Sequence, residues 1–251
     1  MGQGVPVGQA RPRGGASIIT KIEVHPGAER VAAFGGHDLV IDRAIPGWVS
    51  RQQVFRHVSQ ISKVQEFFIR SLDLAGASVI LVLTTPVMLL LSFLIKVFSP
   101  GPILYKQERV GKRGKPFMLY KFRSMINGAE RHVGPVWAAK DDDRVTAIGK
   151  MMRKMRIDEL PQLFNVLRGD MSLVGPRPER PFFIERHRAL QGVRLAVKPG
   201  ITGLAQIRAF YDLKPEHKIK YDYLYIQKRS VLLNLSILLK TIPVVIRKTG
   251  W

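Results

Sequence analysis

Leu74-Ala75-Gly76-Ala77-Ser78-Val79-Ile80-Leu81-Val82-Leu83-Thr84-Thr85-Pro86-Val87-Met88-Leu89-Leu90-Leu91-Ser92-Phe93-Leu94-Ile95 runs for twenty-two residues without a charge. As a straight helix it would be about 33 Å long, close to the hydrocarbon thickness of a bilayer. Length alone predicts a membrane span. Pro86, near the middle, argues against a simple one, because it removes a helix hydrogen bond and clashes with the preceding turn, at ~3 kcal/mol unless a bend absorbs it. Thr84 and Thr85 lie beside it, where their hydroxyls could satisfy freed backbone groups. A helix bent at Pro86 would enter and leave on one face, each arm of about eleven residues reaching only ~17 Å.

The flanks bear on the choice. The 251-residue chain holds 40 Lys and Arg against 19 Asp and Glu, a formal charge of +21. Residues 1–71 carry nine Lys/Arg and five Asp/Glu, and residues 96–251 carry thirty-one and thirteen. Basic residues at both ends of the apolar stretch leave the positive-inside rule no winner if the helix crosses. A re-entrant hairpin kinked at Pro86 keeps both flanks on one side and is favoured here. A kinked spanning helix is the alternative. The excess of cations calls for an anionic partner: nucleic acid, an acidic membrane surface or a phosphorylated substrate. There is no Cys, so disulfides, thiol nucleophiles and thiolate zinc sites are excluded.

Before the apolar stretch, residues 1–50 are rich in Gly, Ala and Pro and read as a mobile tail, with a short strand possible at Ile18–Val24. No apolar core follows their scattered Arg residues, so a secretory signal is not expected. From Gln52 to Arg70 an amphipathic helix is predicted, with Val54, Val58, Ile61, Phe67 and Phe68 set against Arg56, Lys63 and Arg70. Residues 51–98 thus form a membrane unit, and residues 99–251 a helix-rich α/β (α+β) domain. In that domain Ile103–Val110 and Phe117–Met125 read as strands around a Gly-Lys-Arg-Gly-Lys-Pro connection. Thr146–Arg156 and a segment beginning near Asp158 read as helices, and Val231–Ile246 as a helix against the membrane or the core.

Asp158-Glu159 is the sharpest candidate for chemistry. If Pro161 marks a first helical turn, one carboxylate caps the helix and both sit at its positive end. Simple capping is the bland reading. Against it stand the crowded cations Lys150, Arg153, Lys154 and Arg156 just before the pair. Backbone N–H groups at a helix start also hold phosphate, and an Asp carboxylate can act as nucleophile at phosphorus. In Gly175-Pro176-Arg177-Pro178 two prolines fix the backbone around a guanidinium suited to bidentate phosphate contact, or else form a plain turn. Asp141-Asp142-Asp143-Arg144 is a divalent-cation site or, more commonly, a solvated acidic loop. Lys198-Pro199-Gly200-Ile201-Thr202-Gly203 allows close approach of backbone to a ligand. The six His show no metal-ligand spacing, and neither a zinc finger nor an RNP motif supports nucleic acid.

Taken together, Pro100-Gly101-Pro102-Ile103-Leu104-Tyr105-Lys106-Gln107, Tyr120-Lys121-Phe122-Arg123-Ser124-Met125, Asp158-Glu159-Leu160-Pro161-Gln162-Leu163, Gly175-Pro176-Arg177-Pro178-Glu179 and Lys198-Pro199-Gly200-Ile201-Thr202-Gly203 occur in an order that resembles the bacterial sugar transferase family, over roughly Arg70 to Ile246. The resemblance implies a monotopic enzyme of the bacterial cytoplasmic membrane, with its catalytic domain on the cytoplasmic face. Such an enzyme moves a hexose-1-phosphate from a UDP-hexose to polyprenyl phosphate and releases UMP, the first step of polysaccharide assembly. It implies Asp158 as nucleophile and Mg2+ ligand and Glu159 as its assistant. Arg177 and Arg153 would sit on phosphate or nucleotide, with Lys121 and Arg123 in the same cleft. The family's re-entrant helix breaks at Ser-Pro, and here the pair is Thr85-Pro86. Glucose or galactose is the expected sugar, anionic lipid an expected partner, and nucleic acid is not expected. A non-catalytic basic membrane scaffold is the rival, separated by whether Asp158→Asn abolishes turnover.

Overall fold

The computed structural model describes residues 62–130, 134, 136, 142–187, 190–208 and 215–246. The expected tail, the strand at Ile18–Val24 and the first half of the amphipathic helix lie outside these residues.

Lys63–Phe98 form one 36-residue helix, α1. Ser62 caps it, its hydroxyl accepting from the Gln65 N–H at 3.1 Å. Lys63–Arg70 are therefore the opening turns of the same helix that carries the apolar stretch. Pro86 lies inside α1, and the helix is continuous across it. Thr84 Oγ1 donates to the Ile80 carbonyl and Thr85 Oγ1 to that of Leu81, each at 2.7 Å. These are i−4 back-bonds, which bend helices modestly. They do not reach the Val82 carbonyl, which loses its i+4 donor to Pro86, so the expected rescue of that group is not what the hydroxyls do. Along the apolar stretch most side chains face outward, Val82 and Leu83 being 71% and 72% exposed. Among the described residues α1 is the one helix long and apolar enough to cross a membrane.

β1 (Leu104–Val110) and β2 (Pro116–Phe122) form an antiparallel hairpin in which Tyr105 faces Lys121 and Val110 faces Pro116. β2 ends earlier than the expected Met125: the Arg123 N–H still donates to the Ile103 carbonyl at 2.9 Å, but the Ser124 carbonyl accepts from the Thr146 N–H at 3.0 Å. Met125 keeps only an isolated bridge to Val145. α2 (Ala147–Met155) is capped by Thr146 and ended by Arg156, which takes the left-handed conformation (φ 56°, ψ 18°). α3 (Gln162–Arg168) follows, then β3 (Ser172–Val174), α4 (Pro181–Arg186), β4 (Gly200–Thr202), α5 (Leu204–Arg208), α6 (Pro215–Lys228) and α7 (Val231–Ile246). β3 and β4 pair in parallel, so the described residues hold two small two-stranded sheets within a mostly helical frame.

Burial of Leu119, Leu163, Val166, Met171, Leu173, Ile219, Tyr225, Ile226 and Ile237 makes the main core, which Ala77 of α1 joins. A second cluster packs Leu91 and Ile95, from beyond Pro86, on Phe122 and Met152. Polar anchors fix both ends of the apolar stretch to the domain. Arg70 donates to the Val166 and Leu167 carbonyls at 2.7 and 3.0 Å, satisfying the C-terminal end of α3. Asp73 accepts from Ser172 Oγ and the Leu173 N–H at 2.8 and 2.9 Å. At the other end, Arg123 donates to the Ser99 and Pro100 carbonyls at 2.6 and 3.0 Å. α7 buries Asn234 and Ile237 against the core and exposes Leu232, Leu239 and Ile242, so one of its faces is core and the other is free.

Candidate active site

Asp158 and Glu159 sit in a 3-10 turn, Ile157–Glu159, between α2 and α3. They do not cap α3. The N-cap position is Pro161, in the αR conformation, and no side chain caps it. The left-handed Arg156 reverses the chain after α2 and turns both carboxylates inward, where Asp158 is 7% and Glu159 8% exposed. A non-Gly residue in that conformation is strained, and such strain gathers at functional sites.

Glu159 is held from two sides. Arg177 Nη2 donates to Oε1 at 2.7 Å and Nη1 to Oε2 at 3.4 Å, while Lys121 Nζ lies 3.2 Å from Oε1. Burial opposes its ionisation, but Arg177 and Lys121 outweigh that and hold its carboxyl well below the usual range. Asp158 goes the other way. Burial pushes its carboxyl up and the neighbouring Glu159 adds to this, while Lys121, Arg153 and Arg177 pull against them. Adjacent carboxylates in one site are thus driven apart: one is a fixed anion, and the other carries a more basic, more nucleophilic oxygen. Lys121 is itself pushed down by burial, against the pull of Glu159.

Each cation is placed by a local device. Lys121 comes from β2, whose neighbour Tyr120 gives its N–H to Asn165 Oδ1 at 3.1 Å, while Asn165 Nδ2 donates to the Met118 carbonyl at 2.7 Å. Arg153 comes from α2, and its Nε donates to Ser124 Oγ at 2.9 Å. Gly149 permits this, since any Cβ there would collide with the Ser124 carbonyl. Arg177 is set by the pairing of two motifs that look separate in the sequence. The Gly175 N–H donates to the Thr202 carbonyl and that of Gly200 to the Pro176 carbonyl, both at 2.9 Å. The glycines of Lys198–Gly203 thus allow close packing of backbone on backbone. Lys121, Arg153 and Arg177 gather around the pair as expected. Arg123 points instead to the end of α1.

Behind Arg177 stand groups that sequence reasoning did not single out. Arg194 donates to the Arg177 carbonyl at 2.6 Å and to Asp222 Oδ2 at 2.7 Å. Glu179 lies 3.8 Å from Arg109 and 3.9 Å from Arg194. Glu179 closes a quoted motif and was within reach. Arg194 and Asp222 meet across 28 residues and carry no local signature.

Among the described residues there is no group of three or more His, Cys, Asp or Glu able to hold a metal ion. Asp142 is committed to Arg144, whose Nε and Nη2 donate to it at 2.8 and 2.6 Å, so this residue of the acidic run serves an ion pair. Asp141 lies outside the described residues. In the cleft, Glu159 is taken by two cations and Asp158 is the remaining carboxylate. One protein carboxylate fits Mg2+ held mainly by substrate phosphates and water, as is usual for that ion at phosphate chemistry, and does not fit a cage built from protein alone.

The fold thus sets a buried acid pair ringed by Lys and Arg close to an apolar helix. Residues 64–248 match the sequence model of the family described as bacterial sugar transferase, and the chain belongs to that family. It is 43% identical over 195 residues to the UDP-N-acetylgalactosamine-undecaprenyl-phosphate N-acetylgalactosaminephosphotransferase of Aeromonas hydrophila, covering 75% of this chain and 46% of that one. It is 43% identical over 192 residues to the UDP-glucose:undecaprenyl-phosphate glucose-1-phosphate transferase of Klebsiella pneumoniae, covering 73% and 41%. Against the Caulobacter vibrioides protein of the latter name it is 42% identical over 185 residues, covering 69% and 68%. The chain thus spans less than half the length of the first two relatives and about two thirds of the third.

Proposed function

We propose that this chain transfers a hexose-1-phosphate from a UDP-hexose to polyprenyl phosphate, releasing UMP, as the initiating step of a surface polysaccharide. The observation that carries the reading is the division of labour in the acid pair: Glu159 neutralised by Lys121 and Arg177, and Asp158 left with a raised carboxyl amid the same cations. In the first step an Asp158 carboxylate oxygen attacks the sugar-bearing phosphorus. The P–O bond to the uridine phosphate breaks, and its electron pair leaves with UMP. In the second, a phosphate oxygen of the polyprenyl carrier attacks the same phosphorus and displaces the Asp158 carboxylate, which is regenerated. Arg153 and Arg177 stabilise charge on the transferring phosphoryl group and on the leaving phosphate. Mg2+, when held by Asp158 and the substrate phosphates, supplies further neutralisation of the pyrophosphate. The relatives' names differ in their sugars, N-acetylgalactosamine in one and glucose in two, so the reading names no particular sugar and counts N-acetylhexosamines with the hexoses.

The same reading keeps the domain on the cytoplasmic face of the cytoplasmic membrane, with α1 dipping into one leaflet and returning. Docking at both ends supports this topology. Arg70 and Asp73 bind the domain before the apolar stretch, and Arg123 binds Ser99 and Pro100 after it. A crossing helix would carry one of those ends to the far side of the bilayer. The exposed Leu232, Leu239 and Ile242 of α7 add an apolar face for the same surface.

The test is direct. Purified protein with labelled UDP-hexose, polyprenyl phosphate and Mg2+ is expected to release UMP, and to hold sugar phosphate covalently when the lipid is left out. Folded protein that releases no UMP from any common UDP-hexose would refute the function. For topology, single Cys residues introduced near 70 and 100 are expected to be labelled from the same side, and labelling from opposite sides would reject the hairpin.

A further inference from the structure

At the turn of the β1–β2 hairpin lies a cavity of about 420 Å3, lined by Lys112, Arg113, Lys115, Phe117, Asp170 and Lys198 among others. Lys121 stands five residues along β2 from Pro116, so the acid pair is about 17 Å away along the strand. The electrostatic neighbours of Lys112 and Lys198 are Glu66, Arg70, Asp73, Arg113 and Arg229, a set that excludes both Asp158 and Glu159. The hollow is separate from the cleft.

Its charge is not balanced from within. Among the described residues, none of Lys112, Arg113, Lys115 and Lys198 forms a salt bridge or a side-chain hydrogen bond to a carboxylate. The acid in the lining, Asp170, already accepts from Asn165 at 3.3 Å and lies 3.9 Å from Arg168. Of the nearby acids, Glu66 is bound by Arg229, and Asp73 accepts from Ser172 Oγ and the Leu173 N–H. Burial pushes Lys112 and Lys198 down, helped by Arg229 and Arg113 at the first and by Arg70 and Lys112 at the second, and outweighs the pull of Glu66 on both and of Asp73 on Lys198, so the fold keeps cations here at a cost that a bound anion would relieve. Arg113 adds strain, since it takes the left-handed conformation (φ 60°, ψ 28°) that glycine adopts freely. The pocket also has a defined level relative to the membrane. A Cβ built on Gly169 would sit 3.5 Å from both Lys198 Nζ and Arg70 Nη2, and Arg70 is one helical turn before the apolar run begins at Leu74.

We infer that this hollow is a second, non-catalytic phosphate site, fitted to a phosphate group carried by a lipid headgroup at the bilayer edge or by a soluble molecule. It does not rest on the chemistry assigned to Asp158, because none of its residues touches the acid pair.

The full chain is reconstituted in phosphatidylcholine, with or without phosphatidylglycerol, and separately titrated with inorganic phosphate, with thermal midpoint and apparent affinity as readouts. Wild type is expected to respond to at least one of these probes. Lys112→Gln with Lys198→Gln is expected to bind that probe about 30-fold more weakly, the weight of two cations at an anionic surface. A lost phosphatidylglycerol response assigns the site to a lipid headgroup, and a lost inorganic phosphate response alone assigns it to a soluble phosphate. Arg113→Gly guards against misfolding, since it relieves the strained turn while removing a cation, and is expected to fold at least as well yet respond less. UMP release in phosphatidylcholine is expected to be unchanged in all of these variants. A retained response, an equal loss in Lys150→Gln with Lys154→Gln on the exposed side of α2, or collapse of UMP release without anionic lipid would each overturn the site. Asp158→Asn is expected to keep the response whatever becomes of its turnover, so failure of this site and failure of the proposed activity are told apart.

Discussion

Replacing each acid of the pair by its amide should separate stability from activity, because the two carboxylates are held in opposite senses. In Glu159→Gln the guanidinium of Arg177 and the ammonium of Lys121 lose their shared counter-ion in a site where the Glu159 side chain is 9% exposed. Breaking a buried pair from one side costs ~3–5 kcal/mol, and the low end applies here because Arg177 keeps partial access to water. At about 2–4 °C per kcal/mol for a domain of this size, ~3 kcal/mol lowers Tm by roughly 6–12 °C. Asp158→Asn removes a carboxyl whose folded pKa is raised. Such a group favours the fold while protonated, below its unfolded value of about 3.9, and that contribution is lost as pH rises through the folded pKa. At neutral pH the ionised Asp158 therefore opposes folding, and the amide, which cannot ionise, should leave Tm unchanged or higher. UMP release by the same variant should fall by roughly 1,000-fold or more, as when a nucleophile is removed. Thermal melts and UMP release on the wild type and both amides, in one detergent at one pH, are the measurement. An Asp158→Asn protein that melts well below wild type, beside a Glu159→Gln protein as stable as wild type, would refute this assignment of the two acids.

Other outcomes follow from the same geometry. The raised carboxyl of Asp158 places the acid limb of UMP release above the ordinary Asp range, with activity rising as the group ionises, and a limb at or below about pH 3.9 would contradict this. The depressed carboxyl of Glu159 gives stability that is present above its unfolded value of about 4.3 and lost as pH falls, so the Tm gap between wild type and Glu159→Gln should close in acid. Asn165→Ala leaves the Tyr120 N–H and Met118 carbonyl without their side-chain partner in a buried site, which costs about 1–3 kcal/mol in chemical denaturation. Arg123→Ala should loosen the end of α1, seen as faster proteolysis near Ser99, while KM for the UDP-hexose stays within about two-fold, given that Arg123 contacts carbonyls and not the acid pair.

What could be read from the chain in advance was whatever has a period or a motif. The apolar run, the two strands around Gly111–Pro116 and the helix ending near Arg156 show as local patterns. Their limits moved where a tertiary contact intervened, as where the Ser124 carbonyl just past β2 takes the Thr146 N–H. The acid pair stands out in the sequence by its cations, but its setting differs from the expected helix cap. Asp-Glu-Leu-Pro reads as a helix start, whereas a left-handed Arg156 makes it a 3-10 turn, and Arg is not a residue whose preferences announce that conformation. Arg177 was found by its flanking prolines. Its support from Arg194 and Asp222 was invisible, because a pair formed across 28 residues leaves no local trace.

The charge of +21 is a sounder guide to function once the guanidiniums used inside the fold are set aside. Arg70 closes the end of α3, Arg123 holds the exit of α1, Arg109 donates to the Pro178 carbonyl at 3.0 Å, and Arg194 ties Asp222 to the backbone of Arg177. These contacts need a planar donor fork that reaches two acceptors at once, which explains why Arg and not Lys fills them. They bind chain to chain and leave little for a ligand. Among the described residues, two places hold cations in excess of their acids: the surroundings of Asp158, and the hollow at the hairpin turn. Under the proposed function the first would take a phosphate that reacts, because its carboxylates are driven apart in basicity. The second holds cations without an acid of that kind, and by the inference drawn from its lining would take a phosphate that only binds. A basic composition by itself would have served nucleic acid equally well. Cations gathered at these two places, with a long apolar helix in the same fold, are what turn the proposal toward phosphates at a membrane.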